Sequence, residues 1–252
     1  MVAAKSLGSK HAPSWFSYYI GKSYLRATML GLRNVQSKTI SLLKTDLWNE
    51  GIEYERDILG EYENFKNLDI YGIDISRLTC LQAKSRLKKT HVSRGNICNL
   101  PFKSNFFSII LDLSTLDHVD EKQALVVLRE YSRVLRKNGI LVLIFWHKSF
   151  CVRNILKWEE NATQHYFLLD IIRENLRKDF NLTAEYGIGT ILCYLWSTLF
   201  PVSFLSSHCL TSLPTSIRNR FLDLVLDIEY SEISKKTLKD LSCLYAIIAK
   251  KR

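Results

Sequence analysis

Runs of apolar residues about five to nine long recur along the middle of the chain and alternate with stretches of helical spacing. KTISLLKTDL (38 to 47) is a short β-branched and aliphatic run that predicts a buried first strand. An acidic, helix-compatible stretch, WNEGIEYERDILGEYENF, follows it, and then a second apolar run, LDIYGIDIS (68 to 76), ends in an acid. RLTCLQAKSRLKK (77 to 89) places Leu78, Leu81 and Leu87 on one helical face with basic groups opposite. HVSRGNI (91 to 97) is a weaker third strand, and FFSIILDLS (106 to 114) a strong fourth. EKQALVVLREYSRVLRKNG (121 to 139) reads as a helix with basic residues in its last turn and an Asn-Gly stop. ILVLIFWHK (140 to 148) is then a fully apolar fifth strand.

Past residue 150 the pattern thins. NATQHYFLLDIIRENLRKDF (161 to 180) is amphipathic, LTAEYGIGT (182 to 190) predicts a sixth strand, and SCLYAIIAKK (242 to 251) a seventh. A structureless connection of some fifty residues is improbable in a compact domain, so 191 to 238 is expected to be a helical cap. Strands alternating with helices predict a doubly wound, mostly parallel seven-stranded α/β sheet with its ligand at the carboxyl ends of the strands. Ahead of it, SWFSYYIGKSYLRATMLGLR (14 to 33) has the spacing of an N-terminal helix. The organisation expected is a leader over 1 to 37, an α/β domain over 38 to 190 and 239 to 252, and the inserted cap.

Composition narrows this picture only modestly. With 252 residues, 47% hydrophobic and 24% charged, the chain can bury one substantial core. The six cysteines, at 80, 98, 151, 193, 209 and 243, form no C-x-x-C pair, which suits reduced thiols in a cytoplasmic protein. The net charge of +10 favours an anionic partner, and no acid precedes Asp46 although seven Lys or Arg do. That leader fits an organelle transit peptide or a helix whose basic groups face solvent or anionic lipid. No basic patch interleaved with aromatics marks a nucleic-acid surface outside it.

Two places carry chemistry. The second strand ends in Asp74, and a carboxylate there can accept both hydroxyl hydrogens of a ribose. A helix N-cap is the plainer role for the same acid. The segment RGNICNLPFKSNFFSIILDLSTLDH (94 to 118) then puts Asn96 at the end of the third strand, LPF after it, and STLDHV after the fourth.

On these motifs, residues 38 to about 150 resemble the class I S-adenosylmethionine-dependent methyltransferases of the type 11 kind. The resemblance implies that Asp74 holds the ribose, with Ile75 beside it, and that Asn96 and Ile97 flank the adenine, Asn96 standing where Asp is more usual. Ser114, Thr115 and Leu116 would border the methionine moiety, and His118 would cap the turn. The departure is at the first strand, where such enzymes carry D-h-G-x-G-x-G and this chain reads LLKTDLWNEG. Glycines there let the backbone approach the ligand and aim N–H groups at its carboxylate. One consequence is a cofactor site that no longer functions. The other follows from a resemblance to a subgroup with a K-T-D-L-F/W-x-E loop, in which Asp46 or Glu50 would accept from the cofactor's ammonium and Lys44 would balance its carboxylate. A packing role for Leu47 and Trp48 is the third alternative.

After the fifth strand, His147 and Lys148 fall at the sheet edge where an acceptor belongs, and His147 is a candidate general base. Alignment alone can suffice for methyl transfer, so no base is obligatory. Residues 188 to 214 carry no charge, which suits a lid, core packing or a membrane-surface patch better than a span interrupted by Pro201. The function expected is transfer of a methyl group from S-adenosyl-L-methionine to a small or lipid-like acceptor, with peripheral contact to anionic membrane. Its rivals are a non-catalytic scaffold of the same fold and a nicotinamide-dependent oxidoreductase, the latter disfavoured because no G-x-G-x-x-G follows the first strand.

Overall fold

A computed structural model describes residues 14–52, 57–148, 164–190, 210, 212–231 and 242–252. Seven strands follow the apolar runs: β1 (Ile40–Lys44), β2 (Leu68–Asp74), β3 (His91–Arg94), β4 (Phe107–Leu113), β5 (Leu135–Trp146), β6 (Phe180–Ile188) and β7 (Leu244–Lys251). The helices among the described residues are α1 (Ser14–Arg33), α2 (Trp48–Gly51), α3 (Ile58–Tyr62), α4 (Arg77–Arg86), α5 (Glu121–Val134), α6 (Leu169–Asp179) and α7 (Thr215–Glu229). One sheet forms in the order β3-β2-β1-β4-β5-β7-β6, with only β7 antiparallel to its neighbours.

Both faces of this sheet are covered, which is why its central strands are apolar throughout rather than alternating. All seven residues of β4 are buried. On one face Leu42, Ile109, Leu111 and Val142 pack with Tyr19, Ile20, Tyr24 and Ala27 of α1 and with Leu222, Val225 and Leu226 of α7. On the other, Leu43, Ile110, Leu141 and Leu143 meet Val127, Tyr131, Ile172 and Leu176 of α5 and α6.

The helix expected ahead of the sheet is therefore integral to the sandwich over its described length. Polar ties bind it to α7: Tyr18 Oη–H donates to Asp223 (3.2 Å), and Arg26 pairs with Asp227 at 2.5 Å. Tyr19 hydrogen bonds the buried carboxylate of Glu229, and Gly189 N–H donates to the Tyr19 hydroxyl (2.8 Å).

Two expectations are corrected. The fifth helix stops at Val134 rather than at Asn138-Gly139, because Leu135 leaves the helix with extended backbone and begins β5 opposite Phe107. The next pair is Ile109 with Ile140, so Asn138 (φ 63°) and Gly139 belong to a bulge inside the strand. Burying Leu135 completely outweighs extending a helix through the polar residues Arg136, Lys137 and Asn138.

In α4, Leu78 and Leu81 point to solvent at 61% and 55% exposure, and the face turned inward carries Thr79, Cys80 and Ala83. Close approach of α2 dictates this: a Cβ on Gly51 would lie 2.9 Å from the Thr79 carbonyl, so only small side chains fit between the two helices.

Candidate functional site at the carboxyl edge of the sheet

The strand order reverses between β1 and β4, and this is where open α/β sheets bind ligands. The ends of β1, β2 and β4 meet there and bring Lys44, Asp46, Asp74, Ser114 and Thr115 together. A hydroxyl bridge closes the crevice floor, with Thr45 Oγ1–H donating to Thr115 Oγ1 at 3.0 Å.

Asp74 stands at the end of β2 with both oxygens oriented by main-chain donors. Leu47 N–H donates to Oδ2 (3.1 Å) and Ser76 N–H to Oδ1 (2.7 Å). Its carboxyl is nevertheless raised above its ordinary value, first by burial and also by the charge of Asp46, while the Ser76 amide pulls the other way. Ser76, not Asp74, caps α4, accepting from Thr79 N–H. Leu47 can reach Asp74 because it lies over Gly72, where a Cβ would approach its Cδ2 to 2.5 Å.

The first loop has an internal skeleton in place of glycine. Lys44 and Glu50 form a salt bridge of 2.9 Å with side chains 1% and 0% exposed. Lys44 Nζ also donates to the Asp46 carbonyl, and Leu59 N–H donates to Glu50 Oε1 (3.3 Å). Burial alone would lower the Lys44 ammonium, but the charges of Glu50 and Asp46 outweigh it and hold its pKa above the usual value. Burial raises Glu50. Asp46 caps the next turn by accepting from Trp48 N–H and remains half-exposed.

The turn after β4 rests on two buried carboxylates that sequence reasoning did not single out. Asp112 Oδ1 accepts from Thr115 N–H (2.8 Å) and Leu116 N–H (3.2 Å), and Oδ2 accepts from Tyr131 Oη–H (2.7 Å). Burial pushes its carboxyl up to about 6, against the downward pull of those donors. Asp117 accepts from Ser114 Oγ–H and from Trp146 N–H (3.0 Å), and burial raises it well above the carboxylate range. Ser114 itself has φ 72°, a left-handed backbone unusual for a residue with a side chain. The signal available in the sequence was an acid inside the otherwise apolar run FSIILDL, since carboxylates are almost never fully buried without partners.

The other expected residues divide. Ile75 is 65% exposed beside Asp74, and Asn96 is exposed with its Oδ1 accepting from Cys98 N–H (2.9 Å). Ile97 is buried and packs with Leu100 and Phe107 rather than standing exposed at the strand end. His147 also departs from expectation. It is 3% exposed, 3.0 Å from Ser242 Oγ through Nε2 and edge-on to the Tyr245 ring at 5.5 Å. Its ring thus packs against Ser242 and Tyr245 at the start of β7. Most of the uncharged segment 188 to 214 lies outside the described residues.

Residues 57–143 match the family model described as a methyltransferase domain. Among curated proteins, an uncharacterized protein of Haemophilus influenzae is 28% identical over 121 residues, 46% of this chain and 42% of that one. Uncharacterized protein MJ0638 of Methanocaldococcus jannaschii is 32% identical over 92 residues, 36% of this chain and 38% of that one. The chain thus spans about two-fifths of the length of these curated relatives.

Solved structures share the fold along most of both chains. A SAM-dependent methyltransferase from Methanosarcina mazei superimposes with TM-score 0.55 at 15% identity, covering 87% of this chain and 96% of that one. A geranyl diphosphate methyltransferase in complex with GPP and sinefungin gives TM-score 0.57 at 14% identity, covering 90% and 77%. The cyclase SpnF gives 0.56 at 16% identity, covering 90% and 80%, so the same fold also carries other chemistry. The matched segment resembles a methyltransferase domain, and the fold is the one that these solved structures share.

Proposed function

We propose that the protein is an S-adenosyl-L-methionine-dependent methyltransferase acting on a small or lipid-like acceptor. The observation that carries this reading is Asp74, clamped by two amides at the switch point. Each of its oxygens accepts one N–H and has lone-pair capacity for a ribose hydroxyl as well. Ile75 offers an exposed aliphatic face to a base, and the Asn96 side-chain amide lies at the neighbouring strand end.

Charge favours the same ligand. Lys44 and Glu50 cancel one another, leaving Asp46 and Asp74 as net negative charge at the crevice. A sulfonium and an ammonium are attracted to such a site, whereas a dinucleotide pyrophosphate is repelled. When bound, the cofactor supplies an electrophilic methyl group. The chain's part is to orient it: Asp74 at the ribose, Asp46 toward the cationic amino-acid end, and Ser114 and Thr115 beside the reacting portion. Lys44 and Glu50 serve by holding the first loop in shape, because each already occupies the other. Alignment in the crevice then lowers the barrier to in-line displacement.

An apolar acceptor is supported by the uncharged run 188 to 214 and by α7 just beyond it, whose Ile217, Leu224 and Ile228 are 55%, 57% and 42% exposed. The same stripe suits peripheral contact with anionic membrane in a cytoplasmic setting, and no helix among the described residues is long and apolar enough to cross one. A first loop without the D-h-G-x-G-x-G motif favours a second reading, a non-catalytic binding or scaffold protein of this fold.

Titration calorimetry separates the two. The parent protein should bind S-adenosylhomocysteine, and Asp74→Ala should weaken that binding by roughly 1.5 to 3 kcal/mol, about ten- to more than a hundredfold. Absence of heat with the parent at millimolar ligand would leave the scaffold reading standing.

A further inference from the structure

We propose that Asp117 is a positioning residue that carries ligand contact at the Ser114-Thr115 turn to the end of β5 and the segment around His165. This rests on the reading of that turn as cofactor-facing. Asp117 lies on a single 3-10 turn (Leu116–His118) after β4 and is completely buried, yet each of its acceptors serves a different element. Oδ2 takes the Ser114 hydroxyl from the turn, Oδ1 takes Trp146 N–H from the last residue of β5, and the main-chain carbonyl takes His165 N–H (2.8 Å).

The bonds continue outward from there. Phe167 N–H donates to the Trp146 carbonyl (3.3 Å) and Lys148 N–H to the Phe167 carbonyl (2.8 Å). His147, between them, is bonded through its ring to Ser242 ahead of β7. One residue therefore ties together the carboxyl-edge ends of β4 and β5, through its carboxylate, and the segment entering α6, through its main-chain carbonyl.

Ser114 joins the proposed cofactor-facing turn to this set. Its left-handed backbone is disfavoured for a side-chain-bearing residue and is held by its N–H to the Ile144 carbonyl (2.8 Å) and its hydroxyl to Asp117. A ligand resting on residues 114 and 115 acts directly on that hydroxyl. Because Asp117 is completely buried and close-packed, a change at its carboxylate is felt at Trp146 and a shift of its 3-10 turn is felt at His165 through the main-chain carbonyl. Cofactor occupancy would thus hold the backbone at Trp146, His165 and Phe167 more firmly.

Amide hydrogen exchange measured by NMR, with and without S-adenosylhomocysteine, tests this without knowledge of the acceptor. In the parent, ligand should slow exchange at Leu47, Ser76, Thr115, Trp146, His165 and Phe167, the last three by at least about fivefold, the lower end of ordinary coupling between sites. In Ser114→Ala, protection should persist at Leu47 and Ser76 and vanish at Trp146, His165 and Phe167. In Asp117→Asn it should return, since the amide can still accept from Trp146 and donate to the Ser114 hydroxyl.

A purely structural Asp117 would let Ser114→Ala speed exchange at those three amides equally in both ligand states, which overturns the proposal. Protection at Leu47 and Ser76 without any at Trp146, His165 and Phe167 in the parent also overturns it and leaves the cofactor reading intact. No protection at Leu47 and Ser76 means that the cofactor reading itself fails.

Discussion

Replacing Asp112 with asparagine should remove a defined part of the protein's pH sensitivity while leaving its hydrogen bonds in place. Asparagine Oδ1 can still accept from Thr115 and Leu116 N–H, and Nδ2 can donate to the Tyr131 hydroxyl, so the turn keeps its shape. What disappears is the charge. Burial raises this carboxyl from 3.8 to about 6, so the folded state holds its proton over a range in which the unfolded chain has released it. Stability from this group is therefore complete below about pH 4, falls as pH rises through about 6, and is then level. At about 1.4 kcal/mol per pH unit, the full loss is about 3 kcal/mol, of which roughly 2 to 2.5 falls between about pH 4 and pH 7. Asp117 is raised in the same direction, partly by the charge of Asp112, so the variant also relieves some of that shift and the difference between the two curves is at least the Asp112 part. Urea unfolding of parent and Asp112→Asn across that range supplies the two curves. The variant should gain on the parent by roughly 2 kcal/mol from the acid to the neutral end. Parallel curves would show that Asp112 is not ionised in isolation beneath the turn, and the reasoning would fail.

Lys44→Met should destabilise the protein by roughly 3 to 5 kcal/mol because Glu50 is then left buried without its partner, and Lys44→Met with Glu50→Leu should recover much of the loss. A single variant within about 1 kcal/mol of the parent in chemical denaturation would mean that the pair is not formed. At the bulge in β5, Asn138→Val should cost about 1 to 2 kcal/mol, since a β-branched residue tolerates the left-handed backbone poorly, whereas Asn138→Gly should be neutral or slightly stabilising. Equal melting behaviour for both would contradict the assigned conformation. In flotation, the protein should rise with vesicles rich in anionic lipid and be released by salt, because the charge attraction is screened over about 10 Å at 0.1 M. Full recovery in the soluble fraction with every lipid would confine the apolar segment to the core or to a lid over a soluble acceptor.

The alternation of apolar strands with helical stretches was legible residue by residue, and so was the acid closing β2. Such features are local. A strand buried on both faces needs an unbroken apolar run, and a helix needs its own period, whatever lies beside it. The element with the least local contrast was misjudged at its boundary: Arg136, Lys137 and Asn138 suit a helix end as well as a bulge, and only pairing of Leu135 with Phe107 selects the strand.

The site divides along the same line. Asp74 announced itself by position, since a carboxylate at a strand end in this topology has a ribose-binding use. That Lys44 and Glu50 would neutralise each other, that Asp112 and Asp117 would hold the turn after β4 from below, and that Ile97 and His147 would be buried were decided by tertiary packing. A side chain's burial and its partners depend on which distant elements become its neighbours. Trp146 meets Asp117 and His147 meets Ser242 only once β5 is seated between β4 and β7. Hydrophobic period is written along the chain and can be read there, whereas the energy of a buried charge is set by groups that the chain brings from elsewhere.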